Sequence, residues 1–106
     1  MSHVTDIILV TFLDDEGTGL TDLNTFLQKR SKPLTRVDDH TETPRVLQCN
    51  VFIGAYNWLN IPDLLTVFST CQWEYPECVQ LMLKDENDNT FIIATPENPT
   101  PPRCDN

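Results

Sequence analysis

A chain of 106 residues, of which 40% are hydrophobic, has the size of one domain and is too short for two independent cores. Sixteen acidic residues against seven basic ones give a net charge of -9, which disfavours direct binding to nucleic-acid phosphates and to anionic membranes. We expect a cytoplasmic protein, because the sequence shows no secretory signal and no apolar run long enough to span a bilayer.

The first half of the chain predicts a strand, a helix and a short strand. Residues 6–13 are apolar on both alternating faces, which is typical of a strand in the middle of a covered sheet. Residues 20–30 change to the helical period, and Thr18 or Thr21 is suited to cap the start of this helix. Residues 34–40 predict a short edge strand.

The next segment predicts a second long strand followed by a second helix. In the strand over residues 45–55, we expect Val51 and Ile53 on one face and Phe52 on the opposite face, which the helices leave uncovered. Asn60 is a good N-cap for the helix, and Pro62 suits its first turn. The inward stripe of this helix is expected to include Leu64, Leu65 and Phe68.

The last part of the chain predicts a hairpin and a tail. Residues 78–84 and 90–95 are two apolar runs, and the acidic segment 85–89 between them indicates a hairpin loop. Four prolines make residues 96–106 a poor candidate for regular structure, so we expect an extended or disordered tail. The folded domain is therefore expected over residues 1–95.

These elements predict an α+β fold. The order β-α-β-β-α-β, followed by one extra C-terminal strand, is that of a ferredoxin-like split βαβ sandwich. Two helices would cover one face of an antiparallel sheet in which the first and third strands are central. The other face would be free for a dimer or a partner. Fold analogy alone supplies no function.

No pattern in the sequence predicts a catalytic, cofactor or metal site. The four cysteines and two histidines lack the close spacing of zinc ligands, and the calcium-loop pattern is absent. No nucleophile elbow is present, and the Gly17-Thr18-Gly19 turn lacks the lysine of a phosphate loop. We expect reduced thiols, with Cys49 and Cys71 acting as small buried hydrophobic residues.

Aromatic and acidic residues are the candidates for a partner-binding site. Tyr and Trp are enriched among interface hot spots, and two such pairs bracket the second helix, although some of these rings are expected to close the core instead. Acidic clusters in three predicted loops would mimic phosphates if they converged. The candidate residues are Asp14, Asp15, Glu16, Asp38, Asp39, Tyr56, Trp58, Trp73 and Tyr75, with a further acidic cluster at residues 85–88.

The leading functional hypothesis is a non-enzymatic, acidic protein-binding module. It would capture a basic protein, for example one that binds nucleic acid, and inhibit it, since small acidic chains of this kind are typical of immunity proteins and of antagonists from phages or mobile elements. A small-ligand-binding or simple enzymatic domain is the first alternative, and it predicts an apolar cavity with a shifted titratable group. The second alternative is a structural subunit that self-associates, for example as a homodimer through the sheet face.

Overall fold

A computed structural model describes residues 4–12, 17–37 and 49–98 of the chain. Within these ranges two α-helices and five β-strands follow the predicted order, and a short 3-10 turn precedes the fourth strand. The elements are β1 (Val4–Phe12), α1 (Gly19–Gln28), β2 (Thr35–Arg36), β3 (Cys49–Asn57), α2 (Ile61–Thr70), β4 (Gln80–Asp85) and β5 (Ile92–Ala94).

The five strands form one antiparallel sheet in the order β2-β3-β1-β4-β5. The prediction of an α+β fold with two helices and an antiparallel sheet is therefore confirmed. β1 lies in the middle, and β3 separates it from the short edge strand β2. The central place of β1 agrees with its sequence, because a strand with neighbours on both sides and apolar residues on both faces gains most from an interior position.

Both helices pack on the same face of this sheet. Alternate residues of the strands, such as Ile7 and Leu9 in β1 and Leu81 in β4, are fully buried against the helices. Leu23 and Leu27 of α1 and Leu64 and Phe68 of α2 belong to the same core cluster, so one hydrophobic core lies between the helices and one side of the sheet.

The prediction of which β3 side chains face the helices was wrong. Leu9 pairs with Phe52 and Ile8 with Ile53, so Phe52 shares the core face of β1 and is 6% exposed, whereas Ile53 lies on the uncovered face and is 42% exposed. The period of two does not decide which side is covered, because both sides of β3 carry apolar residues. Gly54 lies on the same side as Phe52, and a Cβ there would lie 2.7 Å from the ring of Tyr56, so glycine leaves room for that ring on the core face.

The predicted cap of α2 is confirmed. The side-chain oxygen of Asn60 accepts a hydrogen bond from the backbone N–H of Asp63 at 3.1 Å, and Pro62 lies in the first turn. Thr18 is the N-cap residue of α1, but its side chain makes no capping hydrogen bond. β3 continues to Asn57, two residues beyond the predicted end.

The hairpin between β4 and β5 follows the prediction. Asp88 donates its backbone N–H to the carbonyl of Asp85 at 2.9 Å, which closes the turn. Thr95 and Asn98 then pair across a second turn, and the rest of the predicted tail lies outside the described residues. Among the helices that the structure describes, none is both long and apolar enough to cross a membrane.

Candidate binding surface on the uncovered sheet face

The face of the sheet opposite the helices carries a continuous apolar row. Ile8 of β1 pairs with Ile53 of β3 on one side and with Met82 of β4 on the other, and Met82 pairs with Ile93 of β5. Residues that are directly opposite in an antiparallel sheet point to the same side. Four neighbouring strands thus present Ile53, Ile8, Met82 and Ile93 side by side.

Further apolar residues extend this row in both directions along the strands. Val10 pairs with Val51 one step toward the end of β1, and Phe12 follows, with its ring centroid 4.8 Å from that of Tyr75. Phe91, just before β5, is 37% exposed. We use the name open face for the following residues on this side of the sheet: Ile8, Val10, Phe12, Val51, Ile53, Ala55, Met82, Phe91 and Ile93, together with Asp6 and Lys84. Thr35, Cys49, Asn57 and Gln80 lie on the same side and border it.

The open face is exposed in the described chain. Ile53 is 42% exposed and Ile93 is 50% exposed, whereas the core residues of the same strands are at most a few per cent exposed. α1 and α2 pack on the opposite side. A contiguous apolar patch of this kind is the feature by which monomeric proteins reveal an interaction site, since scattered exposed apolar residues are normal and grouped ones are not.

The charges on the open face are balanced, in contrast with the rest of the chain. Asp6 of β1 and Lys84 of β4 pair directly across neighbouring strands and point to the same side as Ile8 and Met82. They bring one negative and one positive charge to a face that belongs to a chain of net charge -9. This balance contrasts with the net charge of the chain as a whole.

A shallow depression lies at one end of the open face. Its volume is about 440 Å³, and its walls include Ile8, Ile53, Ala55 and Phe91. Ala55 contributes a single methyl group where its neighbours have large side chains, so the surface dips at this position. Asp6, Lys32 and Thr35 also line the depression, so it combines apolar walls with one negative and one positive charge.

Of the four predicted partner-binding aromatics, Tyr56 belongs to the core and Trp73 packs against it. Tyr56 is 2% exposed, its hydroxyl donates a hydrogen bond to the carbonyl of Lys32 at 2.9 Å, and burial raises its pKa to about 12. The indole N–H of Trp73 donates to the carbonyl of Phe68 at 3.1 Å, and the two rings are 5.8 Å apart. Tyr56 and Trp73 therefore follow the alternative prediction, in which some of these rings close the core.

The other two predicted aromatics are at the surface. Tyr75 is half-buried and packs on Phe12, so it borders the open face. Trp58 is 69% exposed, and its backbone φ is 55°, a left-handed conformation that is uncommon for a large side chain. The side chain of Trp58 lies beyond the end of β3 where Asn57 pairs with Val4.

The structure describes only some of the acidic residues that were predicted to bind a partner. Asp14, Asp15, Glu16, Asp38 and Asp39 lie outside the described residues. The turn at residues 85–88 is described, and it lies at the end of the sheet where Glu86 donates its backbone N–H to the carbonyl of Val4. Convergence of the three acidic clusters therefore stays a prediction.

The described residues offer little for catalysis or metal binding. Within ranges 4–12, 17–37 and 49–98, no three His, Cys, Asp or Glu side chains come close enough together to hold a metal ion. Cys49, Cys71 and Cys78 are free thiols; burial, with the negative charge of Asp22, raises the pKa of Cys71 to about 11. Neither Cys71 nor Tyr56, whose pKa is also raised, lines the 440 Å³ depression or a second cleft of about 320 Å³ beside Pro62.

Sequence reasoning anticipated a free apolar sheet face but named the wrong members for it. It placed Phe52 there and Ile53 inside, because the strand is apolar on both sides and only the pairing partners decide between them. Gly54 beside Tyr56 was the available signal, since a glycine and a large ring two residues apart share one side of a strand. Comparison with protein-family models, with curated proteins and with solved structures finds no match to this chain.

Proposed function

We propose that this chain is a non-enzymatic protein-binding domain whose binding surface is the open face. The observation that carries the proposal is the in-register row of Ile53, Ile8, Met82 and Ile93 across four strands, with its two outer members about half exposed. A sheet face that carries apolar side chains across four neighbouring strands is stabilised when another surface covers it. The width of the apolar row and the shallow form of the depression beside it support a protein partner rather than a small ligand.

The strand order supports a ferredoxin-like split βαβ arrangement for this domain. The unit β1-α1-β2 has β3 inserted between its two strands, and the unit β3-α2-β4 has β1 inserted in the same way. Two such interleaved units, with both helices on one side, describe the split βαβ sandwich, and β5 adds one strand at the edge. This arrangement leaves the opposite side of the sheet available for binding.

A photo-cross-linking experiment tests the binding surface. A photo-activatable phenylalanine analogue would replace Ile53 on the open face, and in a matched control it would replace Thr21, which is exposed on α1. The chain would be expressed in its source cells and irradiated. We expect protein adducts from position 53 and few or none from position 21. Equal yields from the two positions, or no adduct from position 53, would refute the proposed function.

Capture of a basic protein is a second candidate, and the exposure of Trp58 favours it. An exposed Trp is a strong interface anchor, and Trp58 lies at the same end of the sheet as the acidic turn with Asp85, Glu86 and Asp88. This mode of binding predicts association that weakens steeply with salt. Replacing Trp58 with Ala would then reduce adduct formation at neighbouring positions and leave the adducts from position 53 unchanged.

A further inference from the structure

We propose that the occupant of the open face is a second copy of this chain, related to the first by a two-fold axis that runs parallel to the strands between β1 and β4. This inference rests on the proposed function and specifies its partner. The geometry points to it because this rotation places Asp6 above Lys84 of the second copy and covers the exposed isoleucines of the row with each other.

The rotation exchanges neighbouring strands and preserves the rows of the sheet. Turning the face over about an axis between β1 and β4 places β1 above β4 of the second copy and β3 above β5 of the second copy. Asp6 then lies above Lys84 of the second copy, and Lys84 above Asp6 of the second copy. Both charges of the open face meet an opposite charge, which a buried ionic pair requires.

The same rotation matches the apolar residues. Ile8 meets Met82 of the second copy, and Ile53 meets Ile93 of the second copy, so the most exposed side chains of the row cover each other. Phe91, opposite Lys84 in the extension of β5, meets Ala55 of the second copy, where the surface dips into the 440 Å³ depression. A large ring is thus placed over the smallest apolar side chain of the face.

Other two-fold axes do not give this match. An axis along β1 itself places Asp6 above Asp6 of the second copy, which brings two negative charges together. An axis at right angles to the strands, through the row of Ile8 and Met82, places Asp6 above Val10 of the second copy and leaves its carboxylate against an apolar side chain. The axis between β1 and β4 avoids both costs.

The overlap under this rotation suits a weak dimer. Four strands overlap, because β2 has no counterpart above it, and β1 and β4 pair over six residues. At about 4.8 Å per strand and about 3.4 Å per residue, the overlap measures roughly 19 by 20 Å, or at most about 400 Å². Specific interfaces bury about 600 to 1,000 Å² per partner, so we expect weak association. Sheets that pack face to face keep their strands within about 30° of each other, so the inner pairs beside the axis hold their register best.

Net charge makes a distinct prediction for this partner. Two chains of net charge -9 repel each other at long range, while the charged contacts across the axis are the matched Asp6 and Lys84, and Gln80 lies above Val10 of the second copy. Added salt screens the long-range repulsion, so the dimer should become tighter at moderate ionic strength. Capture of a basic protein would respond to salt in the opposite direction.

Sedimentation equilibrium of charge-reversal variants tests the second copy. Asp6→Lys places two lysines above each other at both sites of the homodimer, and Lys84→Asp places two aspartates there. We expect each variant alone to dimerise at least about tenfold more weakly than wild type. In an equimolar mixture of the two variants, every pair is opposite again, and heterodimers should form within about threefold of the wild-type dissociation constant. Pairing within one chain cannot produce this rescue.

Asp22→Lys, on α1, is the matched control, because it changes the net charge as much as Asp6→Lys does but lies on the helix side. It should dimerise at least as tightly as wild type, and circular dichroism would establish that all variants fold. Wild-type chain that sediments at 12.2 kDa at every concentration, or variants that show no rescue on mixing, would overturn the second copy. The proposed function is tested separately by cross-linking. Adducts from position 53 whose mass differs from that of a dimer would retain the proposed function without the second copy, and the absence of any adduct would refute it.

Discussion

The close approach of Gly19 and Trp73 allows one structural claim to be tested in depth. Gly19 is the first residue of α1, and a Cβ built there would lie 2.4 Å from Cε3 of the Trp73 ring. The indole has little freedom to move away, because its N–H donates to the carbonyl of Phe68 and its ring packs on that of Phe68. Gly19→Ala should therefore displace the indole from its place in the core.

The expected cost follows from three contributions. Inserting a methyl group into a packed site costs roughly 1 to 3 kcal/mol. Loss of the indole hydrogen bond adds about 1 kcal/mol, and the lower entropy of the unfolded chain with Ala in place of Gly returns about 0.4 to 1 kcal/mol. Gly19 does not have a positive φ, so Ala is conformationally allowed there. We expect the free energy of unfolding to fall by about 2 kcal/mol.

Urea denaturation followed by circular dichroism would measure this loss, and a double-mutant cycle would assign its cause. In a Trp73→Leu background the methyl group has no indole to meet, so Gly19→Ala should cost less than about 0.5 kcal/mol. The reasoning is refuted if Gly19→Ala leaves the wild-type protein as stable as before. It is refuted equally if the substitution costs the same in both backgrounds, because the clash with Trp73 would then not be the cause.

Three further predictions concern single side chains. Asn60→Ala should lower the free energy of unfolding by about 1 kcal/mol in urea titration, whereas Thr18→Ala should cost less because Thr18 makes no capping hydrogen bond; equal costs would contradict this. Burial raises the pKa of Tyr56 from 10.0 to about 12, so the unfolded chain loses this proton first, and stability should fall between these pH values by at most about 1.4 kcal/mol per pH unit. Tyr56→Phe should remove that part of the pH dependence, and an unchanged slope would count against it. The raised pKa of Cys71 leaves little thiolate at pH 8, so mass spectrometry after brief iodoacetamide treatment should find exposed Cys78 alkylated well before Cys71, while equal labelling would contradict the burial of Cys71.

The sequence predicted those features of the fold that depend on local pattern. The Asn60 cap, the doubly apolar β1 and the turn after Asp85 each follow from residues close together in the chain, and each is present in the structure. The element order and the α+β class followed from placing these local patterns in sequence. Such features can be predicted from sequence because backbone geometry and side-chain period act over a few residues.

Which side chains face the helices depends on contacts between residues that are distant in the chain, so local pattern did not predict it. Whether Phe52 or Ile53 faces the helices is decided by pairing with Leu9 and Ile8, more than 40 positions earlier in the chain. The open face shows the same limit, because it joins residues from four strands that are far apart in the chain. Tyr56 and Trp58 are both aromatic and two positions apart, yet one is buried and one is exposed. Composition does not distinguish them.

Hydroxyl-radical footprinting in source cells, compared with the dilute purified chain, tests the central claim most directly. Oxidation of Met82, Phe91 and Phe12 would report on the open face, and oxidation of the half-buried Phe26 on α1 would serve as the reference. We predict that oxidation of the open-face residues falls in cells relative to Phe26. If they are oxidised as fast in cells as in the dilute chain, or if protection falls on Trp58 instead, the open face is not the binding surface.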